Sequence, residues 1–471
     1  MLLGLLAGCA SPYPQVSDDF EKNWTPKSYA AQVYLIPDAS HALAHRVALI
    51  QQATNYIEMT YFSWDKDSVG LTLLNEIKNA ADRGVAVRLV LDDLLVFNEQ
   101  WLAQLAQHDK IDIRIFNPFH ARNIGWLGRA ADFQRHHQRR DHRMHEKYFN
   151  VDGKTMILGG RNIGEAYFGY SQHGNFFDLD AMFQGDVIAP FEQHYRTLWT
   201  SDAVTPISTL IASDPSDQFE AFNHELDHSQ SEREDVVAHL DHTLRALPAV
   251  EYVSAVVTPI FDSLAKQENS LPYLRTRLES TLSPALESAD NVVISSPYLI
   301  PNSGHFDAIT ALAQNGVALT VVTNSMASND SGFVPAYYQT RRDTLLDMDV
   351  QLFELKRHAQ SHDHFIDGQT YYHNKALIID KQVSFIGSSN FDPRSDFLNF
   401  ELGVVIESAA FAKQLHEYLL DDHTLYWQVA KKDEQLFWTD EETTQDSDPE
   451  YGTWHTLPNW ILRQMKVGYE L

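Results

Sequence analysis

The chain has 471 residues, 44% of them hydrophobic and 11% aromatic, enough for two or three packed domains. Its formal net charge of −28 is opposite in sign to that of a protein that grips nucleic acid along its length, so no nucleic-acid partner is expected and any anion site must be built locally from Lys, Arg and His. One cysteine, Cys9, excludes an intrachain disulfide and a cysteine-rich zinc site.

The first element is Met1-Leu2-Leu3-Gly4-Leu5-Leu6-Ala7-Gly8-Cys9, an apolar run that resembles a bacterial lipobox. The resemblance implies a signal segment at residues 1–8, cleavage before Cys9 and diacylation of its thiol. It also implies attachment to the bacterial cell envelope facing the periplasm. The outer membrane is favoured because Ala10 is not the Asp that retains lipoproteins at the inner membrane. The run lacks the usual basic residues before it, and a stray N-terminal thiol is the alternative. No other stretch of about 20 apolar residues follows, so no transmembrane helix is expected.

The same unit then occurs twice. Ala53 to Phe62 reads as a helix end leading into a strand, and Ala289 to Tyr298 reads the same way. A helical stretch follows each. Next come Arg83-Gly84-Val85-Ala86-Val87 and Asn315-Gly316-Val317-Ala318-Leu319, where glycine stops the helix and β-branched residues open a strand. Ile113–Phe116 and Val350–Phe353 are a third matched pair. Alternation of this kind predicts an α/β layered architecture. The halves are placed at 24–205 and 266–430, joined by an acidic linker region at 206–265 and followed by a tail at 431–471. Asn223-His224-Glu225-Leu226-Asp227-His228 in the linker fits no metal-ligand spacing and reads as a solvated helix. Neither metal nor cofactor is expected.

The chemistry lies in His145-Glu146-Lys147 with Asp152, Gly159 and Asn162, repeated as His373-Asn374-Lys375 with Asp380, Gly387 and Asn390. Both copies read His-x-Lys-x4-Asp-x6-Gly-x2-Asn, and every matched pair has the same offset (373 − 145 = 228). One His-x-Lys is weak evidence; two full copies in register are strong. Residues i and i+2 share a strand face, so each Lys points with its His. Asp152 and Asp380 lie an odd number of positions further on, and Gly153 makes an Asp-Gly hairpin turn of the first. Both aspartates are therefore assigned a structural role.

This duplicated motif is similar to the signature of the phospholipase D superfamily. Tyr61-Phe62-Ser63-Trp64, Arg143-Met144-His145, Gly160-Arg161-Asn162-Ile163-Gly164 and Asn390-Phe391-Asp392-Pro393-Arg394-Ser395 most resemble its bacterial cardiolipin synthase C type. The resemblance implies two α/β phospholipase D-like domains, each a mixed β-sheet flanked by helices, related by a pseudo-twofold axis and sharing one active site. It makes His145 the nucleophile and His373 the acid/base, although the sequence itself is symmetric on this point. Lys147, Lys375, Asn162 and Asn390 would bind phosphate. An acidic residue orients each histidine in the family. Matching Phe400-Glu401-Leu402-Gly403 to Phe177-Asp178-Leu179-Asp180 gives that role to Glu401 and Asp178, with Asp180 competing.

The resemblance implies phospholipid substrates, phosphatidylglycerol first and phosphatidylethanolamine as a second donor. It leaves open whether the acceptor is another lipid, making a cardiolipin synthase, or water, making a phospholipase D. A nuclease on the same scaffold and an inactive binding module are further alternatives, and a small partner protein is left unidentified. For a membrane surface, residues 117–147 interleave Ile124, Trp126, Leu127 and Phe133 with Arg122, Arg129, Arg135, Arg139, Arg140 and Arg143. A solvated basic loop is the alternative. Leu457–Val467 is a weaker candidate for surface contact.

Overall fold

The computed structural model describes residues 14–452, except 97–98, 121–127, 129–131, 133–136, 215–218 and 362–363. Cys9 with its apolar run, the tail Leu457–Val467, and Arg122, Ile124, Trp126, Leu127, Arg129, Phe133 and Arg135 lie outside the described residues.

The first half runs β1 (Tyr29–Ile36), α1 (Ala39–Gln52), β2 (Tyr56–Tyr61), α2 (Ser68–Asp82), β3 (Ala86–Asp92) and β4 (Ile111–Phe116). It continues β5 (Arg143–Met144), β6 (Tyr148–Val151), β7 (Thr155–Gly159), β8 (Asn175–Phe177), β9 (Asp180–Gly185), α3 (Ile188–Trp199) and β10 (Val204–Pro206). Local chemistry sets these limits. Asp38 and Asp67 cap α1 and α2 by accepting from backbone N–H groups of the first turn. Gly84 ends α2 at φ +100°, and Gly316 at φ +80° does the same in the second half.

After the helical hairpin α4 (Glu220–Glu232) and α5 (Glu234–Ala246) the second half repeats the plan. It runs β11 (Val253–Phe261), α6 (Tyr273–Leu286), β12 (Asn291–Ser295), α7 (Ser303–Gln314), β13 (Ala318–Asn324), α8 (Val334–Leu346) and β14 (Gln351–Leu355). Then follow β15 (Thr370–Tyr372), β16 (Ala376–Ile379), β17 (Val383–Gly387), β18 (Asn399–Phe400), β19 (Leu402–Glu407), α9 (Ala409–Leu420), β20 (Tyr426–Lys432), β21 (Gln435–Thr439) and β22 (Thr444–Gln445).

In each half a parallel trio, β2-β3-β4 or β12-β13-β14, adjoins an antiparallel hairpin, β6-β7 or β16-β17. The sheets join where β1 pairs with β11. Three apolar layers result. One lies under α1, α2, α4 and α5, one under α6, α7 and α8, and the central one unites the inner faces of both sheets with α3 and α9.

Two expected boundaries are corrected. The 206–265 region is more than a solvated linker. Phe222, Leu226, Val236 and Leu240 bury a helical stripe of α4 and α5 in the first core, and β11 bridges the two sheets between β1 and β19. Its polar composition hid that i, i+4 stripe. The tail at 431–471 also starts too early. β20 to β22 extend the second sheet from β14, and buried Trp438 donates to Glu354 at 2.8 Å.

Candidate active site

Two short parallel pairings cross between the halves and position the site. β5 pairs with β18, with Met144 opposite Phe400, so the next residues, His145 and Glu401, face each other. β8 pairs with β15, with Phe177 opposite Tyr372, so Asp178 faces His373. The ladders close with His145 N–H donating to Phe400 O and His373 N–H to Phe177 O, both at 2.9 Å. Each histidine is thus served by a carboxylate from the opposite half.

His145 Nδ1 lies 2.9 and 3.0 Å from the Glu401 oxygens, and His373 Nδ1 lies 2.6 Å from Asp178 Oδ2. A carboxylate accepts, so Nδ1 carries the proton and Nε2 keeps a lone pair. Lys147 Nζ donates to His145 O and Lys375 Nζ to His373 O, each at 2.7 Å. Lys375 Nζ also lies 3.1 Å from His373 Nδ1, but that proton already goes to Asp178, so the contact is proximity rather than a bond. Aromatic rings wall the pair: Phe62 is 5.3 Å from His145, and Phe176 and Tyr167 are 5.0 and 5.5 Å from His373.

All six ionisable groups are buried, and burial dominates their protonation. It pushes both imidazoles well below their usual value, and the two lysines push the same way. Burial lowers Lys147 to about 7 and Lys375 to about 8. It raises Asp178 to about 6 and Glu401 to about 7, against the pull of nearby lysines. Each lysine acts on both imidazoles, so the two motif copies form one electrostatic centre.

The other motif residues divide. Asn162 accepts from Ser63 N–H at 3.2 Å and donates to Tyr167 OH at 3.0 Å, whereas the buried Oδ1 of Asn390 has no partner among the described residues. Asp152 and Asp380 sit away from the imidazoles. Each opens a hairpin turn at positive φ and accepts backbone N–H groups at the start of a neighbouring strand: Thr54, Asn55 and Tyr56 for Asp152, Asp290 and Asn291 for Asp380. Asp180 does not reach His373. It pairs with Arg46 at 2.9 Å and Arg161 at 3.5 Å. Two arginines of the expected membrane segment are also spent internally: Arg140 on Asn117 and Asp132, Arg143 on Asp92, because those buried acids need counter-charges.

Sequence reasoning missed the support beneath Glu401. Ser388 and Ser395 hydroxyls and the Asn399 amide all donate to its carboxylate. Fully buried Lys266 clamps Asp262 at 2.7 Å and the carbonyls of Ser395 and Asn399, while Asp262 accepts from Glu401 N–H at 2.9 Å. Ser388 is a variable position of the motif and could have been found from it. Lys266 and Asp262 carry no sequence signal. On the other side Gly160 replaces Ser388, and a Cβ there would lie 2.2 Å from Asp178 Oδ1. Among the described residues no group of three or more His, Cys, Asp or Glu is placed to hold a metal ion.

The family model described as cardiolipin synthase, PLD-like domain, matches residues 47–199 and 282–423. Cardiolipin synthase C of Escherichia coli is 33% identical over 407 residues, 82% of this chain and 84% of that one. A cardiolipin synthase of Staphylococcus aureus is 25% identical over 389 residues, 81% of this chain and 65% of its own length. Phosphatidylserine synthase of Haemophilus influenzae shares the fold, with a TM-score of 0.61 over 92% of both chains at 16% identity. The chain therefore belongs to the phospholipase D superfamily, in its cardiolipin synthase family of phosphatidyltransferases.

Proposed function

We propose that the protein is a cardiolipin synthase that works through a phosphohistidine. The observation that carries the reading is the pair of crossed histidine–carboxylate contacts with two lysines at one buried centre. Nε2 of His145, uncharged at rest, attacks the phosphorus of a donor phosphatidylglycerol. The P–N bond forms as the bond to the headgroup oxygen breaks. His373 protonates the departing glycerol oxygen. Its imidazolium forms because the anionic phosphate offsets the burial and the lysine charges that otherwise keep it neutral, and Asp178 stabilises it. His373 then takes the proton of a hydroxyl on a second phosphatidylglycerol. That oxygen attacks phosphorus, the P–N bond breaks, and cardiolipin leaves. Lys147 and Lys375 balance the charge building on the phosphoryl oxygens. The nucleophile is given to His145 by the family resemblance.

Attachment to the cell envelope through Cys9 belongs to the same reading. It rests on the Leu-Ala-Gly-Cys run. The anchor would hold the protein at a bilayer surface. Among the described residues no helix is long and apolar enough to cross one.

The test is to incubate purified protein with phosphatidylglycerol and phosphatidylethanolamine, separately and mixed, and identify the lipids formed. Cardiolipin with released glycerol is expected from phosphatidylglycerol alone. His145→Ala and His373→Ala should each abolish it while unfolding at the normal temperature. Phosphatidic acid as the sole product would make the enzyme a phospholipase D. Envelope fractionation with the intact mass of the N-terminus tests the anchor, and an unprocessed soluble protein would refute it.

A further inference from the structure

The two halves pack differently beside the site. In the first, α1 and α2 pack together beneath α4 and α5, and Phe149, two residues beyond Lys147, is buried in that core. In the second, α6 and α7 are separated by a cavity of about 140 Å³. Leu278 and Leu282 of α6 and Ile309 and Leu312 of α7 form its walls. Its floor includes Leu377, which holds the place of Phe149 two residues beyond Lys375. Leu377 lies near the start of β16, so the lining begins next to the motif. Ser296 and Asn390 also line it, and Asn390 is the motif residue whose buried Oδ1 lacks a partner among the described residues. Its twin Asn162 has both amide atoms engaged. Arg275 in the lining is already spent, on Asp396 at 2.7 Å and on Glu279 at 3.3 Å.

We propose that this cavity holds a segment of one acyl chain of the phospholipid whose phosphate occupies the histidine–lysine centre. The inference rests on the phospholipid substrate proposed above. A cavity of this size walled by aliphatic side chains stays dry and admits an apolar guest of about benzene size, here a short run of methylenes. Leu377 and Asn390, which join the cavity lining to the motif, would set that run beside a bound phosphodiester. The duplication then has a functional asymmetry, with α1 and α2 packed beneath α4 and α5 in the first half and α6 and α7 giving room to a lipid tail in the second.

The test compares dibutyryl, dihexanoyl and dioctanoyl phosphatidylglycerol, each below its micelle-forming concentration. Each methylene removed from water contributes about fourfold to binding. The full-length enzyme should therefore gain at least about tenfold in kcat/KM from dibutyryl to dioctanoyl, mainly through KM. Leu282→Trp and Ile309→Trp fill the cavity and should cut that gain to about threefold or less. The same gain in both variants, with unfolding temperatures unchanged, would overturn the proposal. If the variants fold poorly, photo-crosslinking decides. Dioctanoyl phosphatidylglycerol with a diazirine at one chain end should label α6 or α7 of the wild-type protein, and labelling confined to other segments would overturn the assignment. Failure to turn over any of the diesters would count against the proposed function, while the crosslink would still report on the cavity.

Discussion

Replacing Glu401 by Gln removes one charge from the centre and changes little else in shape. The carboxylate is fully buried. Its Oε1 receives His145 Nδ1, Ser395 Oγ and Asn399 Nδ2, while its Oε2 receives His145 Nδ1 and Ser388 Oγ. A glutamine fits with its oxygen in place of Oε1 and its NH2 toward Ser388, whose hydroxyl can rotate to accept. The imidazole stays oriented, but a charge-assisted hydrogen bond becomes a neutral one, a difference of about 1.5 kcal/mol. If that is lost as imidazolium character develops on His145, turnover falls about tenfold at about 1.4 kcal/mol per decade. Glu401→Ala leaves several buried donors unpaired. It should lose about 3–5 kcal/mol of stability and about a hundredfold or more in rate. The assays are single-turnover cardiolipin formation and urea unfolding of the three proteins. Glu401→Gln within twofold of wild type would refute the coupling of this carboxylate to His145.

Gly160→Ala should reduce turnover at least about a hundredfold, because its Cβ would fall 2.2 Å from Asp178 Oδ1 and displace the carboxylate from His373. Steady-state kinetics with a circular dichroism spectrum check it, and full activity would show that Asp178 need not sit there. Asp152→Ala should cost about 1–2 kcal/mol in urea unfolding, since its side chain holds the hairpin turn to the start of β2, and should change kcat less than about threefold. The pH profile of kcat/KM should fall as pH rises past 7 to 8, where Lys147 and Lys375 lose their protons while the diester stays anionic. A rise between neutral pH and pH 9 would contradict the lysine assignment.

The candidate site was legible in the sequence because the proposed chemistry needs particular residue types at strand spacing, and the 228-residue offset repeats that set in register. The α/β layering was legible for a similar reason: Gly84 and Gly316 each mark where a helix must stop before a buried strand. The polar α4–α5 hairpin was not, since four apolar positions spread over two charged helices become a buried stripe only against α1 and α2. Nor was the choice between Asp178 and Asp180. Both are acidic, and what separates them is that Arg46 and Arg161 approach one while His373 approaches the other. The crossing of the pairs was equally out of reach. A linear motif says that a histidine needs a carboxylate, but β5 meets β18 and β8 meets β15 only after the halves have docked. So the sequence named the candidate groups, and tertiary structure decided which half supplies each partner. Hydrogen-bond geometry between strands far apart along the chain is a property of the packed pair, not of either segment alone.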